Sequence, residues 1–335
     1  MKELYLGLDT SNYTTSAALC DGEGHILWNQ KKLLPVKEGE RGLRQSDAVF
    51  LHVKALSETA RGLADTLSET EGVLQAIGTS ISPRDSEGSY MPCFLVGSGV
   101  GEMLAAAMQI PRYAFSHQAG HLMAAAYSAC EGQMDALDAL LQKPFLAFHV
   151  SGGTTDILYA TPDAEKILTV ERLGGTMDIN AGQLIDRMGV KMGLSFPSGA
   201  AMDEMALAYT SQTPKRKIPK APVTVRELTC NLSGLENKAT ALWDETSDPA
   251  LVSTYVLHAV AMTLVRLTEN LEEAYPGTPI LYAGGVMSSR YIKTFLMPHG
   301  RFAEAKFSSD NAAGTALLCR AKARAKADRN GGRDA

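Results

Sequence analysis

A chain of 335 residues is longer than most single-core domains and suits two lobes of ordinary size. Hydrophobic residues make up 45% and charged ones 21%, which supports a real core, argues against global disorder, and leaves no apolar run of the ~18 residues that a membrane span needs. The net charge of −5 argues against a stand-alone nucleic-acid binder, so a nucleic-acid substrate requires a local basic patch or a partner protein.

Residues 3–9 (ELYLGLD) and 14–20 (TTSAALC) read as strands joined by a polar turn, and 25–34 (HILWNQKKLL) as a third after the tight Gly22-Glu23-Gly24 connection. Charges beside this β-branched alternation, with Asp9 interrupting any apolar region, exclude a signal peptide. A helix is expected over 46–70, with Val49, Phe50, Val53, Leu56, Ala60 and Leu63 on one face. A strand at 75–82 leads into the irregular SPRDSEGSYMPCF, followed by a small-residue helix near 96–109. The pattern then restarts. PFLAFHVSGG (144–153) reads as a buried strand ending in a glycine turn, with TDILYA as its hairpin partner. Helices are expected near 180–193, 199–210 and 248–274, then a strand-to-glycine turn at 279–286, a helix from Ser288, a strand-like AEAKFS (303–308) and a helix from Asp310. Hairpin starts followed by helices, occurring twice, imply duplicated α/β lobes around a cleft, although no sequence repeat accompanies them.

The five cysteines (Cys20, Cys93, Cys130, Cys230, Cys319) are odd in number, scattered and never in CxxC spacing, which indicates a reducing, cytoplasmic setting. Two basic patches, Lys215-Arg216-Lys217 with Lys220 and the C-terminal RAKARAKADRNGGR, read more simply as a solvated loop and a frayed helix end than as nucleic-acid contacts.

Strand ends built of small residues expose backbone N–H groups that can hold phosphate oxygens, because no Cβ blocks the approach. Three turns have that form: Asp9-Thr10-Ser11, Ser151-Gly152-Gly153-Thr154-Thr155 and Gly284-Gly285. Any one of them is common in α/β proteins; their order along the chain favours a nucleotide. His117-Gln118-Ala119-Gly120-His121 places imidazoles at i and i+4, which on a helix is chelating geometry. One surface and one satisfied core histidine is the plainer alternative. A third ligand must come from elsewhere, and Asp310 in SSDNAAG is available; such a set suits divalent iron or zinc.

At these residues the chain resembles the TsaD family, also called Gcp or YgjD and once labelled glycoproteases. HQAGHLMAA is similar to HxEGH, HVSGGTTDIL to VSGGHTQL, DINAGQLIDRMGVKMGLSFPSG to DDAAGEAFDKxAxxLGLxYPGG, NLSGL to FSFSGL, YAGGV to the late GGV loop, and SSDNAAGTAL to TDNGAMIA. The resemblance implies an actin-like ATPase fold (that of sugar kinases, heat-shock chaperones and actin), with residues 1–112 and part of a C-terminal helix (about 309–325) as first lobe, 113–308 as second, and 326–335 as a disordered tail. It implies transfer of a threonylcarbamoyl or carbamoyl group from an adenylate, made with ATP, to N6 of the anticodon-adjacent adenosine of tRNA. Carried over by position, His117, His121 and Asp310 hold one divalent metal, iron rather than zinc. His149, Val150, Ser151, Gly152 and Gly153 line the phosphate side, Asp186 takes ribose hydroxyls, Gly199 sits against sugar or base, and Gly284, Gly285 and Ser289 hold the adenosine side. Asp9 is a catalytic candidate. Implied partners are a TsaB-like or TsaD-like subunit or a second copy, and no membrane.

The departures cluster. TSCDETG is TSNYTTS here, so Tyr13 and Thr14 replace two acidic residues; the histidine of SGGHT is Thr154 and the asparagine after GGV is Ser289. The lysine after Asp186 is Arg187, that of SGLK is Glu236, and SPRDSEGSYMPCFLVG replaces GPGLxGALxxG, making Arg84, Asp85 and Glu87 candidates for acceptor contacts. This implies a divergent paralogue. The alternatives are a non-catalytic nucleotide-binding partner of a TsaB/TsaD-type complex, and a HypF-like carbamoyltransferase or actin-like kinase.

Overall fold

A computed structural model describes residues 1–11, 13–35, 43–212, 218–308 and 312–331. In chain order the elements are β1 (Lys2–Ser11), β2 (Thr14–Asp21), β3 (Ile26–Leu33), α1 (Gln45–Thr70), β4 (Gly72–Ser82), α2 (Phe94–Met108), β5 (Arg112–Ser116), α3 (His117–Ala129) and α4 (Met134–Leu141). There follow β6 (Phe145–Val150), β7 (Thr155–Asp163), β8 (Ile167–Thr176), α5 (Ala181–Lys191), α6 (Gly199–Gln212), β9 (Val225–Arg226), β10 (Thr229–Cys230) and α7 (Ser233–Thr246). Then come α8 (Pro249–Ala274), β11 (Ile280–Ala283), a 3-10 turn (Gly285–Ser288), α9 (Arg290–Leu296), β12 (Arg301–Phe302), α10 (Ala305–Ser308) and α11 (Ala313–Gly331). Two compact units result: Met1–Pro144 with Ala160–Glu171 and Lys306–Ala335, and Phe145–Tyr159 with Arg172–Ala305. The boundary thus falls at Pro144 rather than 112, because α3 packs on α11 and the sheet of the first unit.

In the first unit a five-stranded sheet has the order β3-β2-β1-β4-β5, with β1 antiparallel to β2 and parallel to β4. Alternating apolar and small residues let it bury both faces, and Leu4, Leu6, Leu8, Leu19 and Ile77 form its core. Helix α11 approaches the backbone closely. A Cβ added at Gly7 would stand 2.6 Å from the Ala312 carbonyl, and one at Gly78 would stand 2.8 Å from the Thr315 carbonyl. Helix α1 buries Ala48, His52, Ala55 and Thr59, and the expected stripe is only partly right: Val49, Leu56 and Leu63 are half-buried, Leu63 against the core, while Phe50, Val53 and Ala60 are exposed. The sheet admits only small or hydrogen-bonded side chains there; His52 Nδ1 lies 2.7 Å from Thr15 Oγ1.

The expected tail at 326–335 is corrected too: α11 remains helical to Gly331, and 332–335 lie outside the described residues. Its basic residues are partly internal. Buried Arg320 donates from Nε to the Gly22 carbonyl (2.8 Å), and buried Lys322 donates to the Ala164 carbonyl (3.0 Å) and Glu165 Oε2 (2.8 Å). Lys215, Arg216 and Lys217 lie outside the described residues.

In the second unit a seven-stranded sheet has the order β12-β11-β6-β7-β8-β10-β9. Helix α8, capped by Asp248, which accepts from the Ala250 and Leu251 N–H groups, is long and apolar enough to cross a membrane. It is instead the core helix, with 67% of its apolar window buried among residues such as Val256, Val260, Leu264 and Leu267. AEAKFS is helical at Ala305–Ser308, not a strand; it contains no β-branched residue, and Ala, Glu and Lys favour a helical turn.

Candidate functional site

In the first unit β5 runs directly into α3. Ser116 caps the helix, its Oγ accepting from the Ala119 N–H (3.2 Å) and donating to Asp85 Oδ2 (3.1 Å). The Pro83 carbonyl accepts from the Gln118 N–H (3.1 Å), so the divergent SPRDSEGSYMP loop fixes the start of the histidine helix. Asp85 also accepts from Lys166 Nζ (3.3 Å), which makes it a structural clasp and not an open acceptor contact. One turn into α3 the helix crosses α11 at Gly120 and Gly314. A Cβ on Gly120 would sit 3.0 Å from Thr315 Oγ1, and one on Gly314 would sit 2.8 Å from the Ala124 nitrogen.

This crossing fixes both imidazoles. His117 Nε2 and His121 Nε2 face each other at 2.9 Å, with ring centroids 4.3 Å apart. Behind the first ring, Asp9 Oδ2 lies 2.6 Å from His117 Nδ1, and Ser80 Oγ donates to the same oxygen at 3.0 Å. At this range one neutral ring can donate its Nε2–H to the other, and with that hydrogen moved to Nδ1 both Nε2 lone pairs point into the same small space. The donor set fits a divalent metal: two converging Nε2 atoms, with a carboxylate behind one ring. Asp310 lies outside the described residues.

In the second unit a cavity of about 540 Å³ is lined by Gly152, Asp186, Gly199, Asp203, Gly285 and Ser289, among others. Gly182, at the start of α5, approaches the loop after β6 so closely that a Cβ would stand 2.6 Å from the Ser151 carbonyl. Within that loop Ser151 Oγ accepts from the Gly153 (3.2 Å) and Thr154 (3.1 Å) N–H groups. Two amides anticipated for phosphate are thus turned onto a neighbouring side chain. Val150 is buried, and Gly284 (φ +102°) packs against it; a Cβ there would stand 2.6 Å from the Val150 carbonyl carbon. Gly284 serves this approach, while Gly285 opens on the cavity. His149 is half-buried on β6.

Asp186 accepts from the Ser198 N–H through Oδ1 (2.8 Å), which ties α5 to the turn before α6. Gly199 begins α6, and Ser289 Oγ caps α9 by accepting from the Ile292 N–H (3.1 Å). Sequence reasoning missed Asp203. This buried carboxylate accepts from the Ser289 hydroxyl and from the Arg290 (3.1 Å) and Tyr291 (3.0 Å) N–H groups, so it holds the end of the GGV turn in place. Its spacing of four residues from Gly199, one helical turn on, was the available signal. Asp178 was missed as well. Burial pushes its carboxyl up, but the Leu232 N–H, the Ser233 hydroxyl and N–H, and the Ile179 N–H outweigh this and hold it well below the usual carboxylate range.

A two-unit α/β chain with a ligand-sized cavity at its glycine strand ends defines an actin-like ATPase fold. Solved structures agree: HypF from T. kodakarensis superposes with a TM-score of 0.56 at 10% identity over 97% of this chain and 48% of that one. Full-length HypF in its phosphate- and nucleotide-bound form gives 0.53 at 10% identity, covering 97% and 46%. The TsaD family model, described as tRNA N6-adenosine threonylcarbamoyltransferase, matches residues 47–317, and the chain belongs to that transferase family. Relatives named tRNA N6-adenosine threonylcarbamoyltransferase include one from Streptococcus mutans (27% identical, 86% of this chain and 81% of the relative). Another comes from Lactococcus lactis subsp. cremoris (26%, 88% and 83%).

Proposed function

We propose that this chain transfers a threonylcarbamoyl group from an adenylate to N6 of the anticodon-adjacent adenosine of tRNA. The observation that carries this reading is the cavity of the second unit, where segments expected to meet an adenylate supply Gly152, Asp186, Gly199, Gly285 and Ser289 to the lining. A volume of about 540 Å³ suits an adenosine moiety. Asp186 receives the ribose and Gly285 leaves room for the base. ATP is the precursor of the donor. His117 and His121, with Asp310 as the expected third ligand, would hold one divalent ion, iron rather than zinc, which when bound would supply Lewis-acid charge stabilisation. The chain's own contribution is position, since the adenylate is already activated. The working location is the cytoplasm, with a TsaB-like or TsaD-like subunit or a second copy as partner.

The test is rescue of a TsaD-depleted cell, read by mass spectrometry of its tRNA nucleosides. Return of threonylcarbamoyladenosine supports the reading, and absence of product with all partners supplied removes tRNA as acceptor. One observation favours a second reading, a non-catalytic nucleotide-binding partner: Thr14, where the resemblance expects a carboxylate, is buried in β2. Unchanged nucleotide affinity in a His117→Ala/His121→Ala variant, with co-purification of a TsaD-type subunit, would favour it.

A further inference from the structure

The sequence makes Asp9 a catalytic candidate. We propose instead that Asp9, held by Ser80 with Thr315 behind it, is a positioning residue that fixes the ring of His117 and aims its Nε2 at the metal. This rests on the metal reading above.

Burial argues first against contact with substrate. Asp9 is 2% exposed, and Ser80 and Thr315 are 0% exposed. The chain of contacts is continuous: Thr315 Oγ1 lies 3.4 Å from Ser80 Oγ, Ser80 Oγ donates to Asp9 Oδ2 at 3.0 Å, and Asp9 Oδ2 lies 2.6 Å from His117 Nδ1. An ionised carboxylate only accepts, so His117 must carry its hydrogen on Nδ1. The Nε2 lone pair is then left facing His121 Nε2 at 2.9 Å. Ser80 has a single hydroxyl hydrogen; with that hydrogen on Asp9, the Thr315 contact runs from Thr315 to Ser80. Every hydrogen in the chain therefore has one direction.

The ring is also held by shape. Phe94 stands edge-on to His117, with centroids 6.0 Å apart. Thr315 belongs to α11, at the crossing where Gly120 leaves space for it, so the same contact that brings the two helices together places the last member of the chain. A carboxylate behind a metal-binding imidazole sets the tautomer and raises ligand basicity, and losing such a partner costs about 10–100-fold in metal affinity.

The experiment uses the full chain with Co²⁺ as probe, titrated through its visible absorption, together with ¹⁵N NMR of the histidine ring nitrogens in metal-free protein. Asp9→Asn keeps the volume and is expected to weaken Co²⁺ binding about 10–100-fold and to turn His117 from a single Nδ1–H tautomer to a mixture. Ser80→Ala is expected to act in the same direction by a smaller factor, and Ser80→Thr to restore binding; should Asp9→Asn fail to fold, this pair carries the test. Co²⁺ affinity and His117 tautomer unchanged in both Asp9→Asn and Ser80→Ala would overturn the proposal while leaving the metal reading intact. Wild-type protein whose Co²⁺ binding is absent, or indifferent to His117→Ala, would overturn the metal reading, and the tautomer measurement then decides the role of Asp9 alone.

Discussion

Arg187 Nη1 and Glu236 Oε2 lie 3.0 Å apart, pairing α5 with α7. They occupy two positions at which the family resemblance expects lysines, so the two departures answer one another: the second cation has become the counter-ion of the first. Exposed pairs contribute little, and a double-mutant cycle with Arg187→Ala and Glu236→Ala is expected to give a coupling of about 0.2–1 kcal/mol, shrinking with salt. Glu236→Lys alone should cost more than Glu236→Ala, because it sets like charges side by side. Urea denaturation at two ionic strengths reads both.

The adjacent glycines at the late turn should separate fold from ligand. Gly284→Ala forces a side chain into a left-handed backbone and onto the Val150 carbonyl, and is expected to cost about 1–3 kcal/mol of stability. Gly285→Val meets no atom within 4 Å at its Cβ and should leave the thermal midpoint in place. It fills the cavity, so adenosine nucleotide affinity, measured by calorimetry, should fall at least about tenfold.

Gly314→Ala should be the most damaging single methyl group in the first unit, because it strikes the Gly120 carbonyl at the helix crossing. A loss of about 2–4 kcal/mol is expected, with metal retention falling as the histidine helix is displaced. Equal stability of wild type and variant in denaturant would show that the helices can separate freely.

Stability should also fall in mild acid through His52. Burial lowers its pKa from 6.5 to about 4, against the opposing pull of Asp9. The folded protein keeps this imidazole neutral, while the unfolded chain takes up a proton once the pH drops below about 6.5. The contribution is therefore complete above that value and lost as the pH falls towards 4, a change on the order of 3 kcal/mol. His52→Gln should flatten the pH dependence of the urea midpoint over this window; an unchanged slope would count against it.

Metal analysis of protein purified without chelators is expected to find about one divalent ion per chain, and His117→Ala/His121→Ala to hold none. Metal retained by the double variant would place the ion elsewhere.

The sequence made most elements legible because their signals are local. Alternation marks β1 and β2, the Pro-led helical run marks α8, and glycine marks the turns after β6 and β11. The errors came where tertiary context decides. Part of the stripe of α1, Phe50 and Val53, points outward because the sheet beneath takes Ala48 and His52 instead. The partners of Asp9 were equally illegible, because a carboxylate at a strand end has no visible partner until β4 supplies Ser80 and α3 supplies His117. Asp203 was invisible for a related reason, since its role depends on the N–H groups of a helix begun 87 residues later.

The groove over Gly7 and Gly78 has a consequence for biosynthesis. Strand β1 can complete its packing only when α11, which follows it far along the chain, arrives to cover it. A nascent chain stalled before Ala313 would hold a bare apolar sheet face, a natural substrate for chaperones and proteases, so truncated messages should yield degraded product rather than a poisoned fragment that competes for nucleotide.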